Sequence, residues 1–250
     1  MDYQDINAQT IDGWVKDGWE WGKSTDHETY AAALGGDWNV HLSPTKNVPH
    51  EWFGELKGKK VLGLACGGGQ QMPIFCARGA ECTVLDYSDE QLESERKVAK
   101  REGYDIRVIK ADMTKPLPFG DETFDIVFHP VANCYARKLE PIWRECYRVL
   151  KKGGIFMAGM DNGINFLFAD DEETVVANHF PFDPITDPEQ MEQMVRDNGG
   201  VQFSHTAEDN IGDQLKAGFR ITDLYEDTNG SGRLHDLNIP CFVVTRAVKE

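Results

Sequence analysis

Strand-like and helix-like segments alternate between residues 59 and 160, and this alternation most limits the folds open to the chain. Apolar runs typical of buried strands stand at "KKVLGLA", "ECTVLDY", "DIRVIKAD", "FDIVFH" and "IFMAGM". Helical patterns separate most of them, and the segment 139–150 has apolar residues at steps of three and four. Such a pattern indicates parallel strands joined by right-handed crossovers. The sequence therefore predicts a doubly wound α/β sheet.

The end of the chain breaks this alternation. "RITDLYED" and "CFVVTRAV" are predicted as the last two strands, and no helical segment separates them. We therefore expect an antiparallel last strand in a mostly parallel, seven-stranded, Rossmann-like sheet. Two lysines and two glycines in "KKGG" are predicted to end the helix of 139–150 with a glycine cap. One domain is expected, with the ranges 1–56 as a helical N-terminal lid, 57–160 as the core, 161–215 as an acceptor-side insertion and 216–250 as the last two strands.

Five of the six tryptophans lie in the lid segment 1–56. One interpretation is an aromatic wall for an apolar or cationic ligand. The other is ordinary helix packing, which fits most of the five. Trp14 and Trp21 are seven residues apart and are predicted to share one helix face. His41 and the insertion 161–215 are expected to complete the pocket.

A glycine-rich turn, "VLGLACGGGQQMP", follows the first predicted strand. Ligands of open α/β sheets bind beyond the carboxyl ends of the strands. A glycine turn there lets the protein backbone come close to the ligand, and the following helix offers free N–H groups. The turn alone does not distinguish a cofactor loop from a tight turn. Asp86 ends the second strand and Asp112 ends the third, where carboxylates can accept bonds from a ribose and an adenine amino group. Met113 can offer a soft surface to the ring, and Ser88 with Gln91 predicts a capping box.

The nicotinamide-binding fingerprint is an alternative interpretation of the same turn. That fingerprint needs a third glycine for close packing of helix and strand. Gly67 and Gly69 are followed by Met72 where the third glycine should stand. The pattern therefore favours an adenosyl ligand over a dinucleotide.

These motifs together resemble the class I S-adenosylmethionine-dependent methyltransferases of the small-molecule branch. The resemblance covers about residues 57–160 and rests on "VLGLACGGG", "LDYSDEQL", "FDIVFHPV" and "RVLKKGG". It implies S-adenosyl-L-methionine as cofactor, S-adenosyl-L-homocysteine as product, and a cofactor site at Ala65, Gly67, Gly69, Asp86, Tyr87, Gln91, Asp112, Met113 and His129.

Two positions depart from the family pattern. Gly63 stands where the family has an acidic residue that helps hold the amino end of the methionine moiety, and Ala65 replaces the first loop glycine. Alanine is a small change there provided that its φ is negative. We expect the missing contact to come from outside the loop, from the N-terminal lid.

No catalytic residue is assigned from the sequence. His129 and Tyr135 are candidates because they follow the fourth strand; His129 is a possible base, or a packed residue whose backbone lines the cofactor. Tyr135 and Asn133 are expected either to orient an acceptor or to stabilise the loop. Cys66 is interpreted as a small buried filler. In-line displacement at a sulfonium methyl needs alignment more than acid catalysis. The resemblance to the small-molecule branch implies a small-molecule acceptor.

Composition limits the partners. The formal charge of −16 disfavours nucleic acid, whose binding depends on neutralising phosphates. No apolar stretch is long enough to span a membrane, and no cysteine or histidine spacing predicts a metal site. We expect a cytoplasmic protein with free thiols. A cofactor-binding sensor or partner subunit without methyl transfer, and a nicotinamide oxidoreductase, remain alternatives.

Overall fold

One seven-stranded sheet organises the chain, in the order β3–β2–β1–β4–β5–β7–β6. The computed structural model describes residues 2–169 and 172–250. The strands are β1 (Lys60–Leu64), β2 (Glu81–Asp86), β3 (Arg107–Lys110), β4 (Phe124–His129), β5 (Leu150–Asp161), β6 (Phe219–Asp227) and β7 (Phe242–Lys249). β1 to β5 pair in parallel, whereas β7 runs antiparallel to both β5 and β6. The predicted doubly wound sheet with an antiparallel last strand is confirmed.

Helices precede, follow and connect the strands. The α-helices are α1 (Tyr3–Lys16), α2 (His27–Gly35), α3 (Met72–Ala77), α4 (Asp89–Glu102), α5 (Glu140–Val149), α6 (Pro188–Arg196), α7 (Asp213–Ala217) and α8 (Gly232–Asp236). Short 3₁₀ turns occur at Glu20–Gly22, His50–Trp52, Asn133–Tyr135 and Ile164–Leu167, and a π turn at Glu208–Gly212. Strand order reverses between β1 and β4, so the carboxyl ends of these strands are where a ligand of this fold binds.

The core lies on both faces of the sheet. Alternate residues of β1 divide between the faces, as the period of two requires: Leu62 and Leu64 pack with Trp143 of α5. Val61 packs on the opposite face with Phe75 of α3 and with the N-terminal segment. A parallel sheet covered on both faces in this way explains why its strands read as nearly continuous apolar runs.

The junction of α5 and β5 differs from the prediction. α5 ends at Val149, and its cap residue Leu150 is already extended, so no glycine closes the helix. Residues 151–154, the "KKGG" segment, belong to β5 instead. Tertiary pairing therefore overrides the local cap signal, since Leu150 already pairs with Phe124 of β4.

The N-terminal segment crosses the sheet beside β5. A Cβ on Gly159 would overlap the backbone carbonyl of Leu42, so only glycine admits this crossing. Asp227, at the end of β6, holds the next residues: its carboxylate accepts the backbone N–H groups of Thr45 at 2.8 Å and Lys46 at 3.1 Å, and the Thr45 hydroxyl. Residues 42–46 are thus attached to β5 and to the end of β6.

Across the described ranges, every helix is too short or too polar to cross a membrane.

Candidate active site

A cavity lies where the predicted ligand edge of the sheet should be. Its floor consists of residues at the carboxyl ends of β1, β2, β3 and β4, and α1 covers it. The lining residues are Gln4, Asn7, Ala8, Ile11, Trp19, Ala65, Leu85, Asp86, Tyr87, Ser88, Gln91, Ala111, Asp112, Met113, Thr114, Val131, Ala132 and Tyr135. Six residues predicted for the cofactor are in this set: Ala65, Asp86, Tyr87, Gln91, Asp112 and Met113.

The glycine loop packs tightly against the floor of the cavity. A Cβ on Gly67 would lie 2.9 Å from Asp86 Oδ2, and one on Gly68 would lie 2.7 Å from Gln91 Oε1. Gly68 and Gly69 have φ values of 96° and 68°, which L side chains rarely adopt. Ala65 has φ 49°, so the condition of a negative φ is not met, and this alanine has a left-handed backbone conformation.

Asp86 is both a structural acceptor and a cavity residue. Its Oδ2 accepts Gly67 N–H at 2.9 Å, and its Oδ1 accepts the N–H groups of Tyr87 at 2.7 Å and Ser88 at 3.0 Å. Burial raises the pKa of Asp86, and these three hydrogen bonds oppose that rise. Because a carboxylate has about four acceptor positions, about one is left for a ligand hydroxyl.

Gln91 supplies a second acceptor beside Asp86. Its backbone N–H donates to Ser88 Oγ at 3.1 Å, as the predicted cap requires. The reciprocal half of the capping box is wrong, because Ser88 N–H donates to Asp86 instead. Gln91 Oε1 is buried and has no hydrogen-bond partner among the described residues. An orphaned acceptor next to a cavity indicates a donor supplied by a ligand.

The end of β3 forms the other side of the floor. Asp112 Oδ1 accepts the backbone N–H and the hydroxyl of Thr114, both at 2.7 Å. Met113 is 9% exposed and lines the cavity beside Ala111. An apolar surface next to a fixed carboxylate suits a purine ring with an amino group, so these residues fit the predicted adenine side.

Other side chains occupy the space beside Gly63, where the family has an acidic residue. A Cβ on Gly63 would lie 2.5 Å from Met72 Sδ and 3.0 Å from Cys66 Cβ. No larger side chain fits there while Met72, which is fully buried, keeps its place. The loss of the acid at residue 63 and the presence of Met72 are therefore two parts of one packing arrangement.

α1 lies along the cavity, and the lid function predicted for residues 1–56 stays a prediction. Gln4, Asn7, Ala8 and Ile11 line the cavity at spacings of three and four, so they share one helix face. Sequence reasoning missed them because this face is mostly polar or small and does not read as an apolar stripe. Within residues 2–56 the cavity-lining side chains are uncharged. The replacement of the missing acid by a lid residue stays a prediction.

Two carboxylates hold α1 over the cavity. Asp12 accepts the Ser88 hydroxyl at 2.5 Å and Glu90 N–H at 3.0 Å, and Asp5 accepts the Tyr87 hydroxyl at 2.9 Å. The lid is thus tied to the first turn of α4, directly beside Asp86.

Of the five N-terminal tryptophans, all of which the structure describes, Trp19 alone lines the cavity. Trp19 packs on Trp14 with ring centroids 5.1 Å apart. The predicted shared helix face of Trp14 and Trp21 is wrong, because α1 ends at Lys16 and Trp21 lies in a separate 3₁₀ turn. Trp52 is buried in the core, so packing explains more of these rings than ligand binding does.

The two catalytic candidates occupy different environments. His129 is fully buried, its Nδ1 is 2.9 Å from the Leu64 carbonyl, and its ring lies edge-on to Trp143. Desolvation lowers the pKa of His129 to about 4, so the ring is neutral, and it is not among the cavity-lining residues. Tyr135 does line the cavity, and its hydroxyl makes no hydrogen bond within the described chain. Burial raises its pKa, which keeps the hydroxyl protonated.

Other predicted residues have structural surroundings. Asn133 bridges Asp161 and Asn210, donating to the Asp161 carbonyl at 2.9 Å and accepting Asp161 N–H at 3.0 Å, so it stabilises the loop after β4. Cys66 is buried and burial raises its thiol pKa well above the usual range. His41 donates its backbone N–H to Gln71 Oε1 at 3.0 Å and does not line the cavity.

The described residues between 161 and 215 do not line this cavity. They meet its lid and its rim: Asn7 exchanges two hydrogen bonds with the backbone of Val201, and Phe203 N–H donates to the Cys134 carbonyl at 2.8 Å. The acceptor-side role of this segment stays a prediction.

Known proteins with similar sequences identify the family. A family model described as a methyltransferase domain matches residues 62–158. The uncharacterized methyltransferase YbaJ of Bacillus subtilis is 39% identical over 249 residues, which is 97% of each chain. The chain belongs to the class I S-adenosylmethionine-dependent methyltransferases.

One further protein is similar to this methyltransferase in sequence, and another is similar in structure. The sterol 24-C-methyltransferase erg6 of Aspergillus fumigatus is 36% identical over 107 residues, 42% of this chain and 28% of that protein. An S-adenosylmethionine-dependent methyltransferase structure from Mesorhizobium loti superposes with a TM-score of 0.63 at 20% identity, covering 79% of this chain and 94% of that one. S-adenosylmethionine is the cofactor of this methyltransferase, and neither the sensor nor the oxidoreductase alternative finds support.

Proposed function

We propose that this methyltransferase acts on a small organic acceptor with an apolar body, bound between α1 and the loop after β4. The cavity itself carries the proposal. Ala8, Ile11 and Trp19 face it from the N-terminal segment, and Val131 and Tyr135 face it from the loop. Apolar walls with few polar groups are typical of small-molecule sites.

The cofactor site is proposed at the residues of the cavity floor. Asp86 and Gln91 Oε1 each offer one acceptor position, which matches the two hydroxyls of a ribose. Asp112 and Met113 suit the adenine. Gly67, Gly69, Ala65 and Tyr87 belong to the loop and turn around these acceptors.

The protein's chemical task is alignment and exclusion of water. When bound, S-adenosylmethionine supplies a methyl group activated by a sulfonium, so the leaving group needs no acid. Alignment of two reactants can contribute about 7–11 kcal/mol. α1 covers the cavity and excludes water from it, while the residues of the floor fix one reactant. Tyr135 Oη is proposed to orient the acceptor, because it is the hydroxyl of the loop after β4 that faces the cavity without a partner. His129 is proposed to support β4 rather than to move a proton.

A substrate screen with matched variants tests the site. Trp19→Ala should raise KM for an accepted substrate about tenfold, with the Kd for S-adenosylhomocysteine within about twofold of the wild type. Trp21→Ala is the control, since Trp21 is 46% exposed and outside the cavity. Equal effects of the two substitutions on KM, or no turnover with any acceptor, would contradict the proposal. Tyr135→Phe should lower kcat and leave cofactor affinity unchanged.

The choice of acceptors for this screen follows from charge and similarity. The match to the named sterol methyltransferase covers 42% of this chain and 28% of that protein, so sterols enter the screen as one class among apolar acceptors. Nucleic acid is not proposed, because a net charge of −16 repels a polyanion. A cytoplasmic location is proposed, supported by six free cysteines.

A further inference from the structure

Tyr135 is carried by the short 3₁₀ turn Asn133–Tyr135, which follows β4. Within this turn, Tyr135 N–H donates to the Ala132 carbonyl at 3.1 Å, and Ala136 N–H donates to the Asn133 carbonyl at 3.0 Å. A single 3₁₀ turn has poorer hydrogen-bond geometry than an α-helix. The direction of the Tyr135 side chain therefore depends on which other groups bind the turn.

His205, in the insertion 161–215, binds both ends of this turn. Its Nε2 lies 2.8 Å from the Ala136 carbonyl oxygen and 3.1 Å from the Asn133 carbonyl oxygen. Because both neighbours are acceptors, Nε2 carries a proton and is shared between the two carbonyls. Two residues before it, Phe203 N–H donates to the Cys134 carbonyl between them at 2.8 Å. The backbone of the turn is thus held at three carbonyl groups by one short segment.

Asn210 binds the side chain that begins the turn. Asn133 Nδ2 donates to Asn210 Oδ1 at 3.0 Å and to the Asp161 carbonyl at 2.9 Å. Asn210 Nδ2 donates to the same Asp161 carbonyl at 3.1 Å. Asn210 lies in the π turn Glu208–Gly212, and such turns frequently occur at functional sites. The start of the turn is therefore fixed to the end of β5 through Asn210.

The Tyr135 ring packs on an apolar cluster to which the same insertion contributes. The buried members of this cluster are Cys134, Phe166, Phe182 and Met194. Tyr135 lines the cavity, whereas these four residues do not. The ring therefore contacts the cavity as well as the insertion, and what moves the insertion moves the ring.

We infer that His205 and Asn210 are positioning residues for methyl transfer, which act through the turn that carries Tyr135. They are 6% and 1% exposed, and neither lines the cavity. A buried polar side chain is costly unless it is hydrogen-bonded, and both of these side chains form hydrogen bonds to this turn. The inference rests on the acceptor-orienting role proposed for Tyr135. It gives the insertion a part in aligning the acceptor although none of its described residues lines the cavity.

Paired substitutions at residue 205 separate hydrogen bonding from packing. His205→Leu keeps an apolar side chain there and removes the donor, whereas His205→Gln supplies an N–H donor on a side chain of similar length. We expect His205→Leu to lower kcat about ten- to hundredfold, because misplacing a reacting group by about 1 Å can cost this much. The Kd for S-adenosylhomocysteine should stay within about twofold. His205→Gln should recover most of the loss, and equal kcat values for the two variants would overturn the inference.

The control for residue 205 lies in the same insertion. The side chain of His179 is 74% exposed and lies outside the cavity. His179→Ala should keep the wild-type kcat, since exposed side chains away from the turn have no hold on Tyr135. A loss of kcat as large as that of His205→Leu would show a general effect of the insertion and would contradict the inference.

A double-mutant cycle with Tyr135→Phe shows whether the effect passes through Tyr135. Once the hydroxyl is absent, its position matters little, so His205→Leu should lower kcat less than about twofold in the Tyr135→Phe background. Additive effects would overturn the inference and leave the role proposed for Tyr135 intact. If Tyr135→Phe alone keeps the wild-type kcat, that proposed role is wrong and the inference fails with it.

Fluorine NMR on protein labelled with 3-fluorotyrosine needs no acceptor. The resonance of Tyr135 is the one that is missing from Tyr135→Phe. We expect it to be single and narrow in the wild type and in His205→Gln, and to broaden or split in His205→Leu and Asn210→Ala, because a loosened turn samples several positions. If only one of the last two variants folds, that variant decides. An unchanged resonance in each variant that folds would overturn the inference.

Discussion

Asp86 is the residue whose replacement should affect cofactor binding most. Asp86→Ala removes an acceptor from the cavity and leaves three backbone N–H groups without their partner. Hydrogen bonds to a charged group contribute about 1.5–3 kcal/mol each. We expect the Kd for S-adenosylhomocysteine, measured by calorimetry, to rise by about one to two orders of magnitude.

The control for Asp86 lies three residues away. Asp89 is exposed and pairs with Lys110 at 2.7 Å outside the cavity. Asp89→Ala should leave the Kd within about twofold, because exposed ion pairs contribute little. Equal Kd values for Asp86→Ala and the wild type would reject the proposed ribose contact.

Gly63 and Met72 should be energetically coupled. Gly63→Ala places a Cβ 2.5 Å from Met72 Sδ and is expected to cost about 1–3 kcal/mol of unfolding free energy. Met72→Ala alone should cost about 2–5 kcal/mol through the cavity it creates. In the double variant the new methyl group enters that cavity, so the combined loss should be smaller than the sum. Denaturant titration of all four proteins measures this coupling, and strict additivity would refute it.

Gly159 is a second position where packing leaves no room for a side chain, and here the contact joins two separate elements of the chain. Gly159→Ala would drive a methyl group into the Leu42 carbonyl, and backbone cannot yield as a flexible side chain does. The crossing segment would have to leave β5 and lose its bonds to Asp227. We expect a loss of at least about 3 kcal/mol in unfolding free energy, or no folded protein.

A second glycine provides the comparison for this element. Gly35 is the last residue of α2, and a Cβ added to it would meet no atom within 4 Å. Gly35→Ala should change the unfolding free energy by less than about 1 kcal/mol in either direction. A similar, small effect of Gly159→Ala in the same denaturant titration would mean that the segment does not cross β5 as described.

Elements with a strong period could be predicted from the sequence, and contacts between distant elements could not. The apolar runs that became β1, β2 and β4 were predictable because parallel strands buried on both faces must be apolar throughout. The "KKGG" segment was predicted as a cap because its pairing with the sheet is not visible locally. The sign of φ at Ala65 was equally hidden, since a tight loop around Asp86 imposes it.

Some residues of the candidate site could likewise be predicted from the sequence, and others could not. Asp86, Asp112 and Met113 could be named in advance, because their places at strand ends follow from the topology. Trp19 and the inner face of α1 could not, since only the folded chain shows which side of a polar helix covers the cavity.

The whole molecule carries a charge that should make its stability depend on salt. With 42 acidic and 26 basic residues, the folded chain concentrates negative charge that the unfolded chain spreads out. Raising the sodium chloride concentration from about 20 mM to about 300 mM shortens the Debye length and screens this repulsion. We expect Tm to rise by about 2–4 °C, the change that corresponds to about 1 kcal/mol in a chain of this size. A Tm that falls with salt would show that attractive ion pairs outweigh the repulsion.

The N-terminal segment and the glycine loop are joined by their backbones. Thr25 donates its N–H to the Gly69 carbonyl and its hydroxyl to the Gln70 carbonyl, both at 2.8 Å, and Gln70 Nε2 donates to the Trp21 carbonyl at 2.6 Å. For a product bound in the proposed site beneath α1, we expect these contacts to resist its departure. We therefore expect the first 25 residues to set the residence time of the product, so that loosening this attachment, rather than reshaping the floor, speeds turnover.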